Sequence, residues 1–194
     1  METKPSYFYS VIFITNLDDT KLIQACILNN RKAQFELYRK YYAFVSGICI
    51  RYLKEEAVAR ETVNDIFLKL FTKISAFDIT KASFITWLRT IAVHTCLDKM
   101  KLSAFENKTL PLDTETIKDE LPAAENFTAE SILQVLHTLP NRQSAIFNLF
   151  IVEGYTHDEI GKMLHISAGN SRWYLNDAKQ RVRKALSQTG YKVK

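Results

Sequence analysis

Catalysis and metal binding need histidines, cysteines or carboxylates at set spacings, and this sequence places few of them that way. Its four histidines, His94, His137, His157 and His165, form no HExxH pair and no other paired-ligand spacing. Cys26, Cys49 and Cys96 are odd in number, far apart and free of any CxxC pair, so each reads as a small buried hydrophobe in a reducing compartment. No P-loop, GxSxG or glycine-rich dinucleotide turn is present. His157-Asp158 is a dyad in sequence only, because an Asp at a helix start serves the helix dipole. The expectation is a protein that is not an enzyme and that takes no cofactor and no metal.

The chemistry that remains is that of charge. The chain has 194 residues, 26 Lys plus Arg and 21 Asp plus Glu, for a net charge of +5. That charge is uneven. Residues 20–102 carry fourteen bases and seven acids, net +7, and residues 128–194 carry nine and five, net +4. Between them, residues 103–127 are net −4 and include Pro111 and Pro122, while residues 1–19 are net −2. Two basic segments on an acidic, proline-marked stretch suggest two folded units joined by a flexible, solvated tether. Basic units of this kind point to nucleic acid as a partner.

The elements that position these charges are expected to be helices. Only five Gly and four Pro occur, too few for a loop-rich all-β chain. Phe35, Tyr38, Tyr42, Val45, Cys49 and Tyr52 recur at steps of three and four, as do Val63, Ile66, Phe67, Leu70, Phe71 and Ile74. A third helix from Phe84 to about Leu102 puts Leu88, Ile91, Ala92 and Thr95 on one face. Ser75–Ser83 between the second and third reads as a loop. The longest apolar stretches, such as Ala145–Val152, fall short of a bilayer span, and Tyr7–Leu17 lacks the flanks of a secretory signal. A cytoplasmic protein with no membrane insertion is expected.

The last block is more specific. Thr128–Leu139 is predicted to be a helix stopped by Pro140, and Asn141–Val152 another. Thr156-x-x-Glu159 has the form of a capping box opening a short helix with Ile160, Met163 and Leu164 inward. His165-Ile166-Ser167 then makes a tight turn, and Ser167 can cap a final helix to about Leu186. Two helices joined by so short a turn form a helix-turn-helix, whose second helix can enter a major groove.

Four segments together resemble the extracytoplasmic-function sigma factors of bacterial RNA polymerase. Val58–Phe71 looks like the family's polymerase-binding helix, and Phe84–Asp98 is similar to its promoter-opening helix. Leu139-Pro-Asn-Arg142 and Glu153–Ile160 resemble the opening of the domain that binds the upstream promoter element. The resemblance spans residues 20–188. It implies an all-α chain of two helical domains: residues 20–102 for polymerase binding and downstream melting, an acidic linker over 103–127, and a helix-turn-helix over 128–188. Residues 1–19 and 189–194 remain an N-terminal extension and a tail.

The partners so implied are core RNA polymerase, promoter DNA as duplex and as melted single strand, and an anti-sigma protein. Polymerase contact falls to Glu61, Asn64, Asp65 and Lys69, opposite the apolar stripe of their helix. Phe77, Asp78, Thr80, Lys81 and Ser83 correspond to the base-capturing loop, with Arg89, Lys99 and Lys101 placed for phosphates. Phe84 and Trp87 are spaced for the core instead. Upstream contact falls to Asn170, Arg172, Trp173, Asn176, Lys179 and Arg183, where Arg suits guanine and Asn suits adenine. The chain departs from the family in having His94 where Asn is usual and Lys99 and Lys101 in place of an arginine run. Trp173, Tyr174 and Asp177 also replace small or basic residues, and Asp177 would repel phosphate unless it contacts cytosine or pairs with Arg181. The other reading of the residues is a stand-alone helix-turn-helix regulator that never joins polymerase.

Overall fold

In the computed structural model of the chain, residues 18–100 and 129–188 are described, and every regular element among them is helical. The extension, Lys101, the linker and the tail lie outside these residues. The helices are α1 (Asp18–Ile27), α2 (Arg31–Tyr52), α3 (Glu56–Lys73) and α4 (Phe84–Lys99), then α5 (Ala129–Thr138), α6 (Asn141–Phe147), α7 (His157–Leu164) and α8 (Ala168–Gln188). They form two compact units. The first holds α1, α2 to Cys49 and the stretch Arg60–Thr95; the second holds Ile50–Ala59 and the chain from Cys96 onward.

In the first unit α2 is the axis. It starts where Asn29 takes a left-handed φ of 59° and the Asn30 carboxamide caps the amide of Ala33 at 3.1 Å. Leu37, Tyr41, Val45 and Ile48 are its buried positions. The predicted stripe is therefore rotated in its first turns: Phe35 is 61% exposed and Tyr42 40% exposed. Phe35 has the right spacing, but among the described residues no partner helix covers that side of α2. Tyr38 sits at the seam, its ring 4.5 Å from Phe67 of α3. Val63, Ile66 and Leu70 of α3 and Leu88, Ala92 and Val93 of α4 complete the core. Burial of each larger aliphatic chain stabilises the unit by about 1.5–3 kcal/mol.

Asp19 ties α1 to α2. Its carboxylate is buried, accepts from the Tyr41 hydroxyl at 2.7 Å and pairs with Lys40. Burial and the adjoining carboxylate push the Tyr41 phenol far above its ordinary value, so it stays a donor.

The second unit packs α5, α6 and α7 on α8 through Leu136, Leu139, Ile146, Leu149, Ile160, Leu164, Leu175 and Val182. The predicted helix Asn141–Val152 differs in its second half, which is a π-helical turn over Asn148–Val152. There the amide of Glu153 donates to the carbonyl of Asn148, and that of Tyr155 to the carbonyl of Leu149. Asn148 is fully buried, and its carboxamide donates to Ser144 O at 3.0 Å and to Arg51 O at 3.3 Å. The widened turn accompanies a side chain that serves the end of α2, a contact 97 residues away in sequence.

Asp19→Ala would leave the buried Tyr41 hydroxyl without its acceptor, and is expected to cost about 1–3 kcal/mol of stability. Thermal melts of the two proteins check this.

Candidate nucleic-acid interface

The helix-turn-helix is built by local rules that the sequence displays. Thr156 and Glu159 close the capping box: the Glu159 amide donates to Thr156 Oγ1 at 3.3 Å and the Thr156 amide to the Glu159 carboxylate at 2.7 Å. The turn is set by His165, left-handed at φ 53°, and by the Ile166 amide donating to Gly161 O at 3.0 Å. A Cβ on Gly161 would stand 2.7 Å from Ile166 O, so the two helices approach over a residue that must lack one. Ser167 Oγ accepts from the Asn170 amide at 3.0 Å and opens α8 as the sequence predicts.

On α8, Ser171, Tyr174, Leu175, Ala178 and Val182 face the core. Arg172, Asn176, Lys179 and Arg183 recur at steps of four, three and four, which puts them on one face beside that buried arc. Asn170 lies on the far flank of the first turn, away from this row. Trp173 is half-buried and meets Tyr174 edge-on at 5.2 Å. Tyr174 itself is buried under Arg142, whose guanidinium lies 5.3 Å from the ring centroid and donates to the hydroxyl at 3.1 Å. Asp177 accepts from Arg181 Nε at 2.8 Å and from Gln143 at 3.0 Å. Its charge is thereby matched within the protein.

Behind the row, His157 stacks on Phe150 with centroids 4.4 Å apart, and its Nδ1 lies 2.9 Å from Ser171 Oγ. Burial, then the positive charge of Arg172 and Lys179, lowers its pKa, while Asp158 works weakly the other way.

The loop candidates in the first unit take on structural duties. Phe77 packs against Phe84 at 5.4 Å and Trp87 at 5.3 Å; Phe84 is buried and Trp87 half-buried, near the core placement expected of them. Asp78 Oδ1 accepts from the Thr80 amide at 2.9 Å and hydroxyl at 2.6 Å, and Lys81 lies 3.6 Å from the other oxygen. Those Thr80 bonds hold the Asp78 carboxyl below its usual range. Ser83 Oγ accepts from the Thr86 amide at 3.3 Å and caps α4. Thr80 and Lys81 remain exposed, as does Ile79 at the tip, which sequence reasoning passed over. The Arg89 guanidinium lies over the Phe44 ring at 5.6 Å, and Lys99 is half-buried at the end of α4.

On α3, Glu61 and Asn64 are exposed and Asp65 half-exposed. Lys69 is turned to the flank, donating to the buried Thr95 hydroxyl at 3.2 Å. The residue in register with Glu61 and Asp65 is Leu68, 68% exposed. Its signal was present: in the run Ile66-Phe67-Leu68 a stripe at steps of three and four cannot bury all three.

Among the described residues no group of three or more His, Cys, Asp or Glu could hold a metal ion, and no helix is long and apolar enough to cross a membrane.

Comparisons with known proteins cover most of the chain. Residues 37–104 match the family description Sigma-70 region 2, and residues 129–182 match Sigma-70, region 4. The ECF RNA polymerase sigma factor SigK of Mycobacterium ulcerans is 21% identical over 87% of this chain and 94% of its own length. SigM of Mycobacterium tuberculosis, also an ECF RNA polymerase sigma factor, is 24% identical over 91% of this chain and 89% of its own. The solved structure of CnrH in complex with the cytosolic domain of CnrY aligns over 88% of this chain and 97% of that one, with a TM-score of 0.49 and 15% identity.

Two measurements test the helix-turn-helix geometry. Gly161→Ala should destabilise it by about 1–3 kcal/mol, since the clashing atom is backbone, and should weaken duplex binding in gel shifts. His157 is easier to protonate in the unfolded chain than in the folded one. Its contribution to stability is therefore complete above pH ~6.5 and is lost as pH falls through that value toward the lower folded pKa. Denaturant unfolding from pH 7.5 to 5 should show a steeper acid loss for wild type than for His157→Gln.

Proposed function

The chain belongs to the extracytoplasmic-function sigma factors, the promoter-specificity subunits of bacterial RNA polymerase, and we propose how its parts divide that work. Residues 20–102 bind core polymerase and hold the melted downstream element; residues 128–188 bind the upstream element as duplex. The linker over 103–127 threads across the polymerase channel. The chain acts in the cytoplasm as a DNA-recognition subunit without catalysis of its own, and an anti-sigma protein holds it in reserve.

The observation that carries this division is the row Arg172, Asn176, Lys179 and Arg183 on the second helix of a helix-turn-helix, beside its buried arc. Lys and Arg there release counterions from phosphate, and Arg172 and Asn176 are the readers of base edges. Trp173 supplies apolar contact at the row's edge, while Asn170 contacts the backbone from the helix start. In the first unit Thr80, Lys81 and the exposed Ile79 meet the unstacked strand, with Phe77, Asp78 and Ser83 shaping the loop that presents them. Arg89, Lys99 and Lys101 serve phosphates.

For polymerase, Glu61, Asn64 and Asp65 set register and steer encounter, as exposed charges do, with Lys69 at the edge. Leu68, in register with them, supplies the apolar anchor that charges at a rim do not.

Co-purification with bacterial core RNA polymerase tests the reading. Wild type should bind stoichiometrically, the Glu61/Asn64/Asp65 triple alanine variant should lose most of that binding, and Leu68→Ala should weaken it by about tenfold. A wild type that ignores core enzyme yet shifts duplex DNA would return the chain to the stand-alone regulators.

A further inference from the structure

Trp173 stands on the outward side of α8. At the α-helical repeat it falls almost opposite the middle of the buried arc, beyond the row Arg172, Asn176, Lys179 and Arg183. Gly169, one turn earlier, and Gln180, two turns later, share that side, and both are exposed. The core therefore does not call for an indole here. What holds it is local: its ring meets Tyr174 edge-on at 5.2 Å, with an interplanar angle of 81°. Tyr174 is in turn fixed by Arg142, which lies over the ring and donates to the hydroxyl at 3.1 Å. The indole is thus braced on one side and open on the other. Among the described residues its N–H has no hydrogen-bond partner.

Gly169 adds an independent observation. A Cβ built there would meet only Ser167 Oγ, at 3.7 Å, which is an ordinary contact. Packing among the described residues gives no reason for a glycine, and alanine is the better helix former. A glycine that no internal neighbour demands fits a place where something from outside comes close to the backbone.

We propose that Trp173 sets the base preference of the helix-turn-helix by packing on the C5-methyl group of a thymine in the major groove, with Gly169 as the gap that lets that base pair reach the helix. This rests on the duplex binding proposed for residues 128–188. The chemistry of the indole narrows the choice of base. It carries no charge and no acceptor, only a broad apolar face and one donor. Of the four bases, thymine alone shows a methyl group on its major-groove edge, with the acceptor O4 beside it. Guanine offers acceptors but nothing apolar, and adenine and cytosine present amino donors for which the indole has no lone pair. The brace from Tyr174 matters as well, because a ring already held in place has little rotamer freedom to lose on docking. The row and the indole then divide the work: charge and polar readout from the one, an uncharged readout from the other.

The test selects duplexes from a random pool with the full chain at low salt, where phosphate contacts are strongest. Each thymine of the enriched site is then replaced singly by deoxyuridine, which lacks only the methyl group. Wild type should enrich a site with at least one thymine whose methyl contributes about fourfold in affinity. Trp173→Ala should bind the thymine and deoxyuridine duplexes equally, and Trp173→Phe should restore part of the difference. Arg172→Ala should weaken both duplexes and keep their ratio. Gly169→Ala should melt no lower than wild type yet bind the enriched duplex more weakly. The thymine-to-deoxyuridine ratio is untouched by a general loss of stability. An indole that merely covers Tyr174 would therefore lower the melting temperature of Trp173→Ala and leave the thymine preference in place. That result, or a wild type indifferent to every methyl, overturns the inference. A Gly169→Ala chain that binds as well as wild type overturns the gap. A wild type that enriches no duplex at all overturns the duplex-binding reading, and this inference falls with it.

Discussion

A helix must find donors for its last carbonyls, and α2, the longest of the described helices, finds two of them in side chains from far along the chain. Water serves such carbonyls at a frayed end, and at Ile50 O and Arg51 O side chains from elsewhere take its place. His137 and Asn148 supply the donors. That requirement reaches outward. Asn148 has to stand on a turn whose spacing aims its carboxamide at α2, and the chain there widens from α to π. The widened turn sets where Glu153 and Tyr155 emerge, and through them where the capping box of α7 begins.

What could be read from sequence follows the range of the interactions involved. Thr156, Glu159, Gly161 and Ser167 act on neighbours within five residues, and the capping box, the turn and the α8 cap are where the sequence puts them. The same holds for the buried stripes of α3 and α4, where a period of three and four suffices. Phe35 and Tyr42 obey the same period on α2, yet stand exposed, because periodicity names a face without saying whether another helix covers it. The π turn was illegible for a plainer reason: the contact that it accompanies is with a residue 97 positions away. Asp177 was legible only as a choice, repulsive to phosphate or paired with Arg181, and the structure takes the pairing and adds Gln143. The side chains of Lys69 and Leu68 exchange the roles that their types suggest, the cation turned to Thr95 and the aliphatic left in solvent.

The basic charge is sorted by the same packing. Arg142 and Arg89 lie over the aromatic faces of Tyr174 and Phe44 and keep their charge, while Arg181 is matched by Asp177. Packing thus fixes where several of the cations stand. The row on α8 is a narrow stripe, and a narrow stripe defines an orientation on a duplex where a diffuse cationic face would define only attraction.

The loop after α3 is fastened at both ends, by Phe77 against Phe84 and Trp87 and by Ser83 at the head of α4, and it is braced in the middle by Asp78 and Thr80. Ordering a slack segment costs about 1–2 kcal/mol per residue in backbone entropy alone. Here that ordering belongs to folding. For the base capture proposed above, a stiff loop of this kind would have little freedom left to lose on meeting a strand, and correspondingly little ability to reshape itself around a different one; any selectivity would be cast with the fold.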